Sequence, residues 1–378
     1  MTSTRAAAAA ALAWSLAACA RPEPPVKLAV IAPMTGELAA EGQGLERAVD
    51  LAIEDARAAG SLPRPVDVVV FDDRSEPAGA ADAARRAAAD PDVFAVIGPL
   101  TSGCAIEAAK VLALDPMPMI TPSATASELT LQQENPRWSG ARVVFRLPPS
   151  DALQGDSDAE YALHRLNLKT MAVIHDGTPY GLGLADAFRR GYESRGGSVT
   201  MFGSIERLAD DYGETARGIA RMRSDGLFYG GLYAEAGKLL KQSRAAGYAG
   251  LFMSGDGAKS DDFFGFAGPA GDGAYFSIGG VPLEALPGAA DFVARYGKRW
   301  SGAAPRTFDH YGYEAARIAL WALGKTDGDR KAAVEAIRSE PHEAMMGTFI
   351  FDAKGDSLKS LITMMKADAK GRRFEAAY

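Results

Sequence analysis

Cysteine and histidine are scarce in this chain, which has two cysteines and four histidines among 378 residues. Two cysteines cannot build a disulfide framework, so the fold has to rest on a hydrophobic core. None of the histidines has the spacing of a metal-ligand motif; they are His164, His175, His310 and His342. The composition therefore argues against a disulfide-rich domain and against a histidine-based metal centre.

Catalytic and cofactor motifs are also missing. The sequence has no Gly-x-Ser-x-Gly nucleophile elbow, no phosphate-binding loop and no dinucleotide glycine fingerprint after its first predicted strand. The net charge of −7 leaves no basic excess, which argues against nucleic acid as a partner. We therefore expect a protein that is not an enzyme and that needs neither a metal ion nor an organic cofactor.

The N-terminus is the part of the sequence that points to a membrane. Residues 1–5 carry one positive charge, that of Arg5. An apolar run at 6–16, too short to span a bilayer, follows them and leads into LAAC at 16–19. This pattern resembles the secretory signal of bacterial lipoproteins. The resemblance implies cleavage after residue 18, acylation of Cys19 and a short tether at 19–26, so that the mature protein is lipid-anchored outside the cytoplasm. The alternative is an ordinary signal peptide with a chance cysteine.

From residue 27 onward, short apolar runs alternate with helical stretches. The predicted strands form two series, at 28–31, 66–71, 93–97 and 118–120, and at 171–174, 199–202, 227–230, 251–253 and 274–278. Continuous apolar strands separated by helices indicate a parallel sheet covered by helices. Two such series predict an α/β protein with two doubly wound lobes. Late strands are predicted at 348–351 and 361–365, with a turn at 352–355.

Two segments place small hydroxyl residues directly after predicted strands, GPLTSG at 98–103 and ITPSAT at 120–125. In each segment we expect the chain to turn into a helix. The free N–H groups and positive dipole ends of two helix N-termini would then point at one place, which suits a carboxylate. The pair predicts a protein that holds a small acid.

Several segments, in their order and spacing, resemble the leucine/isoleucine/valine-binding proteins, the type I periplasmic solute-binding proteins of ABC transporters. They are KLAVIAPMTG at 27–36, DD at 72–73, VIGP at 96–99, MITPSATASELT at 119–130, IHD at 174–176, YGLG at 180–183, YGG at 229–231, QSRAAG at 242–247 and MSGDG at 253–257. The resemblance implies two lobes joined by three crossover segments, with the ligand in the cleft. It places lobe one at 27–145 and 282–357, and lobe two at 146–281 and 358–378.

The resemblance also implies a set of ligand-binding residues. Those that would hold the ligand's carboxylate are Ser102 and Thr125 through their hydroxyls, and Leu100, Ser123 and Ala124 through their backbone. In lobe two, Asp256 matches the acid that holds the ligand's ammonium group, and Tyr180 matches an aromatic residue that closes over the ligand. Both belong to motifs quoted above.

Two positions depart from the branched-chain pattern. Glu41 stands where those proteins place an aromatic residue in the first loop, and Leu232 followed by Tyr233 stands where they have a tyrosine. Tyr233 and Phe308 are further candidates for ligand contact. Both departures count against a branched-chain aliphatic ligand.

Each candidate also has a structural interpretation. Ser102 and Thr125 suit helix caps, and Asp256 suits a turn in which it bonds its own backbone. Glu41 suits a first helical turn, where an acid complements the dipole, and Tyr180 suits an exposed helix start. Capping and ligand binding are compatible, because unsatisfied N–H groups remain at a capped helix terminus.

The function implied by the resemblance is that of an extracytoplasmic, monomeric solute-binding protein of an ABC transporter. Its ligand would be a small amino acid or related carboxylate, and its protein partner a membrane permease. The alternative on the same fold is a sensor or regulator that binds amides, urea or aromatic acids. The export signal favours transport, because a cytoplasmic regulator would lack one.

Replacing Cys19 by Ala is expected to release the protein from membranes, because the acylated thiol is the predicted anchor. Separation of producing cells into membrane and soluble fractions measures this release. Cys104→Ala is the matched control and is expected to stay with the membranes. A Cys19→Ala variant that also stays there would show that the lipoprotein interpretation is wrong.

Overall fold

The computed structural model describes residues 24–377, so the predicted signal peptide and Cys19 lie outside the described residues. A first sheet of five parallel strands has the order β2-β1-β3-β4-β5. Its strands are β1 (Val26–Ala32), β2 (Val66–Asp72), β3 (Val93–Ile97), β4 (Met119–Thr121) and β5 (Val144–Arg146). These runs are apolar because a parallel sheet is covered by helices and buries its strands.

A second sheet of seven strands has the order β12-β11-β10-β9-β8-β6-β7. Its strands are β6 (Thr170–His175), β7 (Ser198–Ser204), β8 (Gly226–Gly230), β9 (Leu251–Ser254), β10 (Tyr275–Gly279), β11 (Ile362–Asp368) and β12 (Arg373–Ala376). The strands β6 to β10 pair in parallel, whereas β11 and β12 add an antiparallel edge. The second sheet is therefore completed by the C-terminal segment.

Helices pack on each sheet to form one lobe around it. They are α1 (Ala39–Ala58), α2 (Pro77–Ala89), α3 (Ser102–Leu112), α4 (Glu128–Leu131), α5 (Asp151–Glu160), α6 (Pro179–Ser194), α7 (Gly213–Met222), α8 (Tyr233–Ala245), α9 (Phe263–Ala267), α10 (Ala289–Arg299), α11 (Asp309–Thr326) and α12 (Arg330–Ser339). The late helices α10, α11 and α12 return to the core of the first sheet. Across residues 24–377, none of the helices combines the length and the apolar character that a membrane crossing requires.

The chain passes between the two lobes three times, through 147–150, 280–282 and 358–361. Strand β5 ends at Arg146, one residue beyond the predicted end of the first part of lobe one. Three short segments of chain therefore connect the two lobes. This arrangement permits rotation of one lobe against the other.

Two sequence-based predictions of local structure were wrong. Helix α5 was missed because its buried face carries polar and small residues such as Gln154, Gly155 and Asp158, which hide the apolar periodicity of a helix. The predicted strand at 348–351 is not a strand: Phe349 and Phe351 form isolated bridges with His342 and Ser357. Both phenylalanines point into the core, on either side of exposed Ile350, but no continuous strand within residues 24–377 pairs with this segment.

Arg146 ties the end of β5 to the loop that precedes α4. Its side chain is 1% exposed and donates to the backbone oxygens of Thr125 and Ala126, at 2.8 and 2.7 Å. It also donates to the Thr130 hydroxyl at 3.1 Å and to the Asp356 carboxylate at 2.5 Å. This buried arginine therefore fixes the loop that carries several predicted ligand-binding residues.

Replacing Arg146 by Ala is expected to lower the free energy of unfolding by roughly 2–4 kcal/mol, because four hydrogen bonds made by a buried side chain are lost. Asp356 keeps a second cationic partner, Lys354, at 3.5 Å. Urea unfolding at neutral pH measures the loss. Arg142→Ala is the control, since Arg142 is exposed and donates to one carbonyl, that of Ala353. Equal losses in the two variants would contradict the anchoring role of Arg146.

Candidate functional site

A cavity of about 230 Å³ lies in the cleft between the lobes, at the carboxyl ends of the strands. Eight of the ten predicted ligand-binding residues line it: Glu41, Leu100, Ser102, Ser123, Tyr180, Tyr233, Asp256 and Phe308. Lobe one contributes the first four and Phe308, and lobe two contributes the rest. Residues from distant parts of the chain therefore meet around one space in the cleft.

Thr125 and Ala124 lie behind the cavity wall rather than in it. Both are buried, and the N–H groups of Thr125 and Ala126 donate to the Ser102 hydroxyl at 3.2 and 3.1 Å. The N–H group of Ala124 donates to the Thr121 hydroxyl at 3.1 Å. The predicted helix N-terminus at this segment was wrong, because α4 begins three residues later and the hydroxyls of Ser102 and Thr121 occupy these N–H groups. Ligand contact by Thr125 and Ala124 stays a prediction.

The N-terminus of α3 faces the cavity. Thr101, Ser102 and Gly103 all line it, and among residues 24–377 no side chain caps the first turn of the helix. The Ser123 hydroxyl donates to the Leu100 carbonyl at 2.7 Å and holds the neighbouring loop in place. Uncapped N–H groups and the positive end of the dipole make this wall of lobe one suited to an anion.

Asp256 is the carboxylate that faces this wall from lobe two. Its Oδ1 accepts a hydrogen bond from the Tyr180 hydroxyl at 2.8 Å and one from the N–H group of Gly257 at 2.9 Å. Burial raises the pKa of Asp256 to about 6, and these hydrogen bonds oppose the rise. A Cβ atom at position 257 would lie 2.6 Å from the Tyr180 ring, so glycine is required for this close approach.

The lobes touch across the mouth of the cleft. Arg207 of lobe two donates to the Glu37 carboxylate of lobe one at 3.0 Å. The Thr307 hydroxyl of lobe one donates to the Lys259 carbonyl of lobe two at 2.9 Å. The structure is therefore a closed arrangement, in which the cavity is bounded by both lobes.

Three charged residues of the cavity wall, Asp176, Arg207 and Lys259, were absent from the sequence-based site. Asp176 is the first residue after β6, and Asp256 is the second residue after β9. Because ligands in such folds bind at the carboxyl ends of the strands, the position of Asp176 in the sequence could have predicted it as a site residue. Arg207 lies in a loop after β7, and no sequence pattern marked it.

Comparison with known proteins identifies the family. A family model described as a periplasmic binding protein matches residues 25–372. The chain belongs to the periplasmic binding protein family. An amino acid binding protein of Pseudomonas aeruginosa is 30% identical over 351 residues, which cover 92% of this chain and 91% of that protein.

Solved structures of the family have the same fold. The leucine binding protein LivK from Thermotoga maritima is 26% identical, with a TM-score of 0.83, and the match covers 93% of this chain and 98% of that one. The protein LivJ from Streptococcus pneumoniae, solved in complex with isoleucine, is 25% identical, with the same TM-score and the same coverage. The predicted family and the predicted two-lobed fold are confirmed. Proteins of this family are extracytoplasmic solute-binding proteins of ABC transporters rather than enzymes.

Replacing Asp256 by Asn is expected to stabilise the ligand-free protein above pH ~6 by about 2–3 kcal/mol, since one pKa unit corresponds to about 1.4 kcal/mol. The raised pKa means that folding disfavours the ionised carboxyl. This cost is absent well below the ordinary pKa of 3.8, where both states are protonated, and it is complete above about 6.

Urea unfolding of the two proteins across this pH range measures the difference, with Asp261→Asn as an exposed control in the same segment. A gain that does not grow as the pH rises would contradict the burial of an ionisable carboxyl at Asp256.

Proposed function

We propose that the protein captures a small α-amino acid in this cleft and delivers it to an ABC permease in the membrane. One observation carries the proposal. The uncapped N-terminus of α3 in lobe one and a buried carboxylate in lobe two, Asp256, line the same cavity. An α-amino acid presents a carboxylate and an ammonium group at one end, which matches this pair.

The carboxylate of the ligand would lie against the first turn of α3. The N–H groups there and the Ser102 side chain provide donors, and the dipole favours negative charge. Ser102 is 2% exposed, and its Oγ already accepts from two backbone N–H groups, which orients its hydroxyl proton away from them. That proton is free to donate to the ligand.

The ammonium group of the ligand would lie against Asp256. Neutral groups, Tyr180 and Gly257, supply the two hydrogen bonds to its Oδ1. An ammonium group would provide the missing positive charge, and a charge-assisted hydrogen bond is roughly twice as strong as a neutral one. Binding would therefore lower the raised pKa of this carboxyl toward its ordinary value.

Ligand binding and lobe closure are coupled in this scheme. A ligand that contacts Ser102 and Asp256 together binds the closed arrangement more tightly than an open one, and it shifts the population by that difference alone. The closed surface of the two lobes is what a permease would recognise. Acylated Cys19 would keep the protein at the membrane where the permease lies.

Replacing Asp256 by Ala is expected to weaken binding of an α-amino acid by roughly 2–5 kcal/mol, since the ammonium group would be left unpaired in a buried site. Ser102→Ala is expected to weaken binding of the same ligand to a smaller extent. Isothermal titration calorimetry measures both, with Asp261→Ala as the exposed control. Unchanged affinity in the Asp256 variant would remove this residue from the site and overturn the proposed binding mode.

A further inference from the structure

Two segments from different lobes meet beside the cavity. In lobe one, the Nη2 atom of Arg306 donates to the Asp262 carboxylate of lobe two at 2.6 Å. The next residue, Thr307, donates from its hydroxyl to the Lys259 carbonyl of lobe two at 2.9 Å. We call these two contacts the latch. Lys259 and Asp262 belong to the segment between β9 and α9 that also carries Asp256, so the latch joins this segment to lobe one.

Arg306 is held in place by its own lobe. Its Nε and Nη2 atoms donate to the Oε1 atom of Glu41 at 3.1 and 2.7 Å. Its backbone N–H group donates to Asp309 at 2.9 Å, and Asp309 is buried at the start of α11. Because both partners belong to lobe one, these contacts can persist when the lobes separate. The guanidinium group is therefore positioned by lobe one and pairs with lobe two when the cleft closes.

The charges at the latch favour the ion pair. Burial by itself would lower the pKa of Arg306, but Glu41 and Asp262 raise it above its ordinary value. The two carboxylates therefore stabilise the cation despite its partial burial. Separation of the lobes would remove Asp262 and leave Glu41, so the attraction between Arg306 and Asp262 stabilises the closed arrangement alone.

The ion pair between Glu37 and Arg207, which also joins the lobes, has a different balance. Burial and the neighbouring Glu235 raise the pKa of Glu37, and Arg207 opposes the rise. An ionised Glu37 is therefore disfavoured in the closed arrangement, although its carboxylate accepts from Arg207 at 3.0 Å. Of these two ion pairs, the one made by Arg306 is the one whose interactions favour closure.

We propose that Arg306 is a positioning residue for solute binding, which holds the segment carrying Asp256 closed against lobe one through the latch. Neither Arg306 nor Asp262 lines the cavity. Their effect on affinity therefore comes through lobe closure and not through contact with the solute. A contact made in the closed arrangement alone raises the affinity for a solute that requires closure, and it does so mainly by slowing release.

The inference goes beyond the proposed function, because it concerns closure of the lobes and not the identity of the solute. The test changes Asp262, since Arg306 then keeps its partner Glu41 and lobe one is left intact. Asp262→Asn is expected to weaken binding about threefold, as removal of a partly exposed ion pair does. Asp262→Lys is expected to weaken it about tenfold or more, because it places like charges together.

Isothermal titration calorimetry measures these affinities, with the amino acid that binds most tightly among the twenty standard ones as the probe. Salt dependence separates charge attraction from a structural effect. Between about 0.05 M and about 0.5 M NaCl, screening is expected to reduce the weakening caused by Asp262→Asn and to restore part of the affinity lost in Asp262→Lys. A loss caused by misfolding or by altered packing would not recover with salt.

Two control variants are matched to these changes. Asp261→Asn removes a neighbouring exposed acid that forms no ion pair within residues 24–377. Glu54→Gln breaks an ion pair with Arg299 that lies entirely within lobe one. Both are expected to leave the affinity unchanged. Equal weakening by the controls and by the Asp262 variants would overturn the inference, and so would wild-type affinity or salt-independent losses in the Asp262 variants.

A measurement without solute keeps the inference separate from the proposed function. Small-angle X-ray scattering at low salt is expected to give a larger radius of gyration for Asp262→Lys than for the unchanged protein, because repulsion at the latch opens the cleft. If no amino acid binds, the proposed function is overturned and the scattering decides the inference. Equal radii of gyration in that case would overturn the latch as well.

Discussion

Asp256 is buried between the two lobes, and the groups that hydrogen-bond its Oδ1 are neutral. An ionised carboxyl in such a place is costly, and the raised pKa of Asp256 expresses that cost. The features around it follow from this constraint. Gly257 lets Tyr180 approach closely enough to donate, and the cavity beside them gives a cation room to enter.

Lobe one presents the complementary arrangement. The first turn of α3 has N–H donors, whereas lobe two contributes the Asp256 carboxylate. The Ser102 hydroxyl accepts from the loop before α4 and so connects that loop to the turn. Buried Arg146 holds the same loop from behind by donating to the carbonyl of Thr125. Because each lobe carries only one half of the site, a zwitterionic ligand is satisfied fully in the closed arrangement. This division links recognition to the rigid-body motion of the lobes.

Much of this fold was predictable from the sequence, because buried parallel strands have continuous apolar sequences. Ser102 was predicted as a site residue because its segment follows a buried strand, whereas Asp256 was predicted from the family resemblance; both line the cavity. Helix α5 was not predictable, since its buried face is polar and small. The prediction of a helix N-terminus at Thr125 was wrong, because the N–H group of Thr125 donates to the hydroxyl of Ser102, 23 residues earlier. Glu37 and Arg207 meet across a separation of 170 residues, and no local pattern reports such a contact.

The central claim is that the cleft holds both the carboxylate and the ammonium group of an α-amino acid. Thermal unfolding of the protein, recorded with α-amino acids and with the matching acids that lack the amine, tests this claim most directly. A ligand that binds the folded state raises the melting temperature as its concentration exceeds the dissociation constant. We expect at least one α-amino acid to raise it, and its deaminated counterpart to leave it unchanged. A rise with acids that lack an amine, and none with any amino acid, would contradict the account.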